Sequence, residues 1–109
     1  MERVYDKLVR DKIPEIIESK GETPVTRELG DYDYKVELEK KLQEENNEVL
    51  SATTSKDRLE ELADMLEVIF ALGSIENATE QNLMDIMYQK REQRGGFVKK
   101  LYLERVIEK

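Results

Sequence analysis

Two groups of carboxylates in a largely apolar stretch constrain this chain more than any other feature. Glu45 and Glu48 are three residues apart in the first group, which Glu44 precedes. Glu61 and Asp64 are three residues apart in the second. Residues at this spacing lie on one face of an α-helix, so two antiparallel helices would aim four carboxylates at one point. Such a cluster repels itself unless a cation fills it, and oxygen ligands alone favour Mg²⁺ or Mn²⁺.

The residues around these carboxylates are mostly apolar. Glu45 lies on the same helical face as Leu38, Leu42 and Val49. Between Leu62 and Gly73 the only ionisable residues are Asp64 and Glu67, and a helix that is apolar nearly all round is typical of a buried position. The alternative is a solvated acidic face on a charged helix. The apolar neighbours of Glu45 and Asp64 argue against it, because buried carboxylates are costly unless they are paired or bind a metal.

Composition excludes several kinds of site. The chain has 109 residues, and no linker-like, repeated or low-complexity segment divides it. We therefore expect one domain spanning residues 1–109. It has no cysteine and no histidine, which excludes disulfides, thiolate sites, the usual zinc sites and a histidine-dependent nucleophile. Any metal chemistry must therefore use carboxylates.

Charge and hydropathy bear on location and partners. No stretch is apolar enough to predict a membrane span, and the charged N-terminus is unlike a signal peptide, so we expect a cytoplasmic protein with no membrane partner. Residues 21–88 carry six basic and seventeen acidic side chains, whereas residues 89–109 carry seven basic and three acidic. The acidic middle argues against nucleic-acid binding. The basic end would suit an anionic ligand.

The pattern predicts a mainly α-helical bundle of three long helices and one short one. Caps and apolar periodicity set the expected bounds, and two short apolar segments are candidates for a single two-stranded β pairing. The predicted helices are Asp11 to Lys20, Asp31 to Ala52, Ser55 to Ile75 and Asn77 to Arg94. Ser55 is the expected cap of the third helix, Asn77 and Glu80 are a capping pair for the fourth, and Gly95-Gly96 is expected to end it. The candidate strands are Val25 to Leu29 and Phe97 to Leu103.

The third predicted helix has apolar residues on both sides. Leu59, Leu62 and Leu66 belong to one face, and Val68 and Leu72 to the opposite one. A bundle this small has little else to cover both faces, so we expect a homodimer or a higher homo-oligomer.

Three motifs together resemble a known family. Glu44-Glu45-x-x-Glu48, followed after twelve residues by Glu61-x-x-Asp64, resembles the signature of the MazG-like, all-α nucleotide pyrophosphohydrolases. Residues 7–14, KLVRDKIP, and residues 94–97, RGGF, are similar to the two ends of the single-domain branch described as phosphoribosyl-ATP pyrophosphohydrolase-like. The match to that branch favours removal of unwanted nucleotides over a role in histidine biosynthesis.

The resemblance implies an activity and a set of residues. Family members hydrolyse a nucleoside triphosphate between its α- and β-phosphates, giving the monophosphate and pyrophosphate. The implied Mg²⁺ ligands here are Glu45, Glu48, Glu61 and Asp64, and Glu44 would support them or orient the attacking water. The implied phosphate contacts are basic residues of the two end motifs and the last turn of the fourth helix: Lys7, Arg10, Lys12, Lys90 and Arg94.

These basic residues also have simpler interpretations. Lys7, Arg10 and Lys12 could be an ordinary charged segment before a helix, and Lys90 and Arg94 could extend from an apolar face into solvent. The chain as a whole has two alternative functions. It could be an acidic helical module that binds a partner protein, or a nucleotide or metal sensor without turnover.

Overall fold

The chain is all-helical, as the sequence predicted. The structure, a computed structural model, describes all 109 residues and contains three long helices, one short helix and no strand. The helices are α1 (Ile13–Ser19), α2 (Asp31–Ser51), α3 (Ser55–Ile75) and α4 (Glu80–Arg94). No helix has an apolar stretch long enough to span a bilayer.

Helices α2 and α3 form an antiparallel hairpin around a three-residue turn. Thr54 caps α3 by accepting a hydrogen bond from the Asp57 N–H at 3.1 Å. The sequence analysis placed this cap at Ser55, but Thr54 has the extended backbone that an N-cap requires. Arg58 closes the turn by donating from Nη2 to the Ala52 carbonyl at 3.1 Å. The short turn fixes which residues of α2 lie opposite which residues of α3.

The buried core of the single chain is very small. Leu38 on α2 and Val68 on α3 are 4% and 9% exposed, and no other residue is buried. Each lies thirteen residues from the end of its helix at the turn, so they lie at the same level of the hairpin. The face of α3 that carries Val68 packs on α2, whereas Leu59, Leu62 and Leu66 on the other face remain exposed.

We expect Leu38→Ala to lower the free energy of unfolding by about 2–5 kcal/mol, because it removes buried methyl groups and leaves a cavity. The exposed Leu50, on the same helix, gives a matched control, and Leu50→Ala should change stability by less than about 0.5 kcal/mol. Urea unfolding at one protein concentration measures both. Equal losses in the two variants would show that Leu38 is not a core residue.

Helix α4 begins at a different cap from the one predicted. Asn77 has a φ of 61° in the turn that follows α3, a conformation that an N-cap does not adopt. Thr79 forms the capping box instead, with reciprocal hydrogen bonds to Asn82 of 3.0 and 2.9 Å. Leu83 then packs near Gly73 of α3. At the other end Gly95, with a φ of 82°, ends the helix as predicted.

Neither candidate strand forms. Residues 25–29 have no regular secondary structure, and the chain turns at residues 97–100, where the Lys100 N–H donates to the Phe97 carbonyl at 3.1 Å. Lys100 has a φ of 58°, which interrupts a strand there. A lone two-stranded pair is marginally stable in water. The short first helix is also smaller than predicted, starting at Ile13 after Lys12.

The chain is extended rather than compact. Its radius of gyration is 18.8 Å, whereas a compact domain of this length has about 13 Å. Its accessible surface is 10440 Å², against about 6,300 Å² for a folded monomer of this mass. A single copy therefore leaves far more surface open to water than a protein of this size usually does.

Candidate metal centre

The hairpin brings carboxylates from α2 and α3 to the same level. Glu45 lies six residues before the end of α2, and Glu61 lies six residues after the start of α3, so they oppose each other across the hairpin. Asp64 follows Glu61 by almost one turn on the same face. One oxygen from each of these three side chains lies within 4.8 Å of the other two. We call Glu45, Glu61 and Asp64 the carboxylate cluster.

Two oxygens of the carboxylate cluster are buried without a partner. Oε2 of Glu45 and Oε2 of Glu61 are inaccessible to water and accept no hydrogen bond. Buried polar atoms are almost always hydrogen-bonded in folded proteins, and an unpaired carboxylate oxygen is costly. Each of these two oxygens is therefore available to accept a proton or to bind a cation.

Burial and the neighbouring carboxylates raise the pKa of Glu45 and that of Glu61. Burial is the main cause that raises the pKa of Glu45 above its ordinary 4.5, and the charges of Glu48 and Asp64 add to it. The pKa of Glu61 rises to about 7, first because of a hydrogen bond with Glu48, and then because of burial and the neighbouring charges. Protonated Glu61 can donate a hydrogen bond to a neighbouring carboxylate, which reduces the repulsion within the cluster.

The cluster suits a hard divalent cation. Its donors are all carboxylate oxygens, which Mg²⁺ and Mn²⁺ prefer over softer ligands. One oxygen from each of the three side chains lies within 4.8 Å of the other two, so small side-chain movements would bring all three to the roughly 2.1 Å at which oxygen ligands bind Mg²⁺. Glu45, Glu61 and Asp64 therefore have the donor atoms that a Mg²⁺ or Mn²⁺ site requires, and metal binding itself stays a prediction.

The other two acidic residues of the signature lie differently. Glu48 is more exposed than the three cluster residues, yet it is close enough to hydrogen-bond to Glu61. Glu44 is exposed and pairs with Lys41 at 3.7 Å. The structure therefore brings Glu48 to the edge of the cluster and leaves Glu44 outside it.

Of the five basic residues named from the sequence, Arg10 alone contacts the cluster. Its Nη2 donates to Asp64 Oδ1 at 2.8 Å. The sequence predicts that these basic residues meet the triphosphate on the side away from the metal, whereas in the structure Arg10 bonds to a residue of the cluster itself. Lys7 lies 5.4 Å from the centre of the Tyr5 ring. The remaining three are exposed and form no ion pair: Lys12, Lys90 and Arg94.

Lys41 is a residue that the sequence analysis did not assign to the site. Its side chain is only 22% exposed, and its charge lowers the pKa of Glu45, against the larger effects that raise that pKa. It precedes Glu45 by four residues, so both lie on one face of α2. The four-residue spacing of Lys41 and Glu45 is the sequence feature from which the position of Lys41 could have been predicted. The contact of Arg10 with Asp64 joins residues 54 apart and has no local signal in the sequence.

The stability of the metal-free protein should fall as the pH rises from 4.5 to about 7. Folding raises the pKa of Glu61, so the folded state binds more protons than the unfolded state in this window, and the stability gained from them is lost as Glu61 ionises. The groups that face it are Glu45, Glu48 and Asp64. Melting curves in chelator across this range measure the fall.

Glu61→Gln provides the comparison for this pH series, because glutamine keeps the shape and removes the titration. The melting temperature of that variant should depend less on pH than that of the wild type. An equal dependence in both proteins would show that Glu61 does not titrate in this range.

Comparison with known proteins finds similarity to a relative over part of the chain. No protein-family model matches the chain, and no solved structure matches it. A protein of Mycolicibacterium smegmatis described as uncharacterized is 48% identical over 54 residues, which make up 50% of this chain. The match covers 55% of that protein, so the chain spans about half the length of the curated relative that it matches.

Proposed function

We propose that this protein is a Mg²⁺-dependent nucleoside triphosphate pyrophosphohydrolase of the MazG-like type, acting on unwanted nucleotides. One observation carries the proposal: Glu45 and Glu61 each have a buried, unpartnered oxygen, and one oxygen of each lies within 4.8 Å of an oxygen of Asp64. A helical hairpin gains no stability from this arrangement by itself. The arrangement is therefore best explained by a ligand that these carboxylates hold, and the order of the motifs supports a nucleotide enzyme.

The residues divide into those that hold the metal and those that meet the substrate. Glu45, Glu61 and Asp64 would hold Mg²⁺, and Glu48 would complete the set from the edge. Bound Mg²⁺ supplies charge neutralisation of the phosphates and a lower pKa for water. No covalent intermediate on the protein is required, which agrees with a chain that has neither cysteine nor histidine.

Basic side chains would bind the phosphates. An arginine side chain offers a planar fork of N–H donors for phosphate oxygens, and Arg10 already lies at the cluster. Lys7 and Lys12 flank Arg10 in the chain. Lys90 and Arg94 lie near the end of α4, and their part in binding is inferred from the resemblance alone.

We also propose that the working form is a homo-oligomer, at least a dimer. The exposed leucines of α3, Leu59, Leu62 and Leu66, form a continuous apolar face. Large exposed apolar patches mark interaction sites. The single chain exposes about 4,000 Å² more surface than a compact monomer of its mass. This excess is larger than the roughly 800 Å² that each partner buries in a standard interface. A second copy offers the same face.

A panel of nucleotides tests the proposed activity. Standard and damaged nucleoside triphosphates are incubated with the protein and Mg²⁺, and released pyrophosphate is measured. Turnover of at least one nucleotide that stops when a chelator is added supports the proposal. Metal-dependent thermal stabilisation without turnover of any nucleotide would favour the sensor instead, and neither turnover nor stabilisation would favour the interaction module.

A further inference from the structure

Arg10 provides the cation nearest to the carboxylate cluster in the metal-free protein. Its guanidinium donates to Asp64 Oδ1 at 2.8 Å. Asp64 is one of the three residues whose oxygens converge. Arg10 lies outside the hairpin, just before α1, where its carbonyl accepts the Ile13 N–H at 3.0 Å. A residue of the N-terminal segment thus partly neutralises a site built by α2 and α3.

We infer that Arg10 is a built-in countercation of the carboxylate cluster, and that a divalent metal ion displaces it from Asp64 on binding. The inference rests on the proposed metal site. It assigns to Arg10 a role in the metal-free protein that is separate from phosphate binding. Arg10 and the metal then compete for one carboxylate.

Charge and exposure support the competition. A divalent cation held by Asp64 repels a guanidinium on the same carboxylate, because like charges at short range destabilise each other. The Arg10 side chain is 58% exposed and that of Asp64 46%. An ion pair this accessible is weak, so Arg10 can leave for solvent at little cost.

Displacement would also prepare the site for an anion. Once released from Asp64, the guanidinium remains tethered beside a site that has gained positive charge from the metal. Its N–H donors are then free to bind an anionic ligand such as a phosphate. Metal binding and anion binding would therefore be coupled through one side chain.

Calorimetric titration of the metal-free protein with Mn²⁺ tests the inference without reference to activity. Arg10→Gln should lower the Kd for Mn²⁺ by about two- to fivefold, the size expected from removing a competing exposed ion pair. Arg10→Lys retains the charge and should bind Mn²⁺ nearly as the wild type does. Arg3→Gln is the matched control, because Arg3 is in the same segment but pairs with Glu22 instead, and its Kd should equal that of the wild type.

Salt provides a second readout. The competition is electrostatic between exposed groups, so raising the ionic strength should reduce the difference in Kd between the wild type and Arg10→Gln. A Kd that is unchanged or higher in Arg10→Gln, with normal Mn²⁺ binding by the wild type, would overturn the inference and leave the metal site intact. No Mn²⁺ binding by the wild type would overturn the metal site and the inference together.

Discussion

Glu61→Gln is expected to abolish metal-dependent hydrolysis and, above pH 7, to make the metal-free protein more stable than the wild type. The substitution removes a metal ligand. A bound metal lowers the activation free energy by several kcal/mol, so its loss should slow the reaction by about a thousandfold or more. It also removes a charge from a crowded cluster in which the pKa of Glu61 is already about 7. Pyrophosphate release with Mg²⁺ measures the first effect, and melting in chelator measures the second.

Glu60→Gln is the matched control for this variant. Glu60 precedes Glu61 on α3 but is exposed and outside the cluster. It should keep wild-type activity and wild-type melting behaviour. Turnover by Glu61→Gln close to that of the wild type would show that Glu61 is not a metal ligand, whereas loss of activity in both variants would point to a general effect of charge.

Leu62→Glu or Leu66→Glu is expected to split the proposed oligomer. These side chains are 41% and 48% exposed in the single chain, so a glutamate there is tolerated by the hairpin but not by an apolar interface. Burying an uncompensated charge should weaken association by at least about 2 kcal/mol, roughly thirtyfold. Light scattering over a dilution series measures the mass of each variant.

The choice of positions depends on the structure. The sequence alone predicts that a charge at Val68 or Leu72 splits the assembly or unfolds the chain. Val68 is buried against α2, so a charge there would disrupt the hairpin. Val25→Glu is the control, since Val25 is exposed in the connector before α2 and should leave the mass unchanged. A wild type that is monomeric at micromolar concentration would disprove the proposed assembly.

Local patterns made the helices and the cluster predictable. The spacing of Glu61 and Asp64, together with a turn of only three residues, is enough to bring them opposite Glu45. Helix ends were predicted less well, because neighbouring polar residues compete for each cap: Thr54 took the place of Ser55, and Thr79 that of Asn77.

Long-range features could not be predicted from local patterns. Residues 25–29 and 97–103 have suitable side chains for strands, but pairing depends on a partner elsewhere in the fold. The contact of Arg10 with Asp64 depends on how the N-terminal segment lies against the hairpin. The apolar periodicity showed that α3 has two apolar faces, whereas the structure was needed to show that α2 covers the face with Val68 and leaves Leu62 open.

Phosphorus NMR of the reaction products tests the central claim most directly. A nucleoside triphosphate that the panel identifies as a substrate is incubated with the protein, with and without Mg²⁺. The account predicts monophosphate and pyrophosphate in equal amounts with Mg²⁺, and neither product without it or with Glu61→Gln. Release of orthophosphate and a nucleoside diphosphate, or equal turnover in chelator, would contradict it.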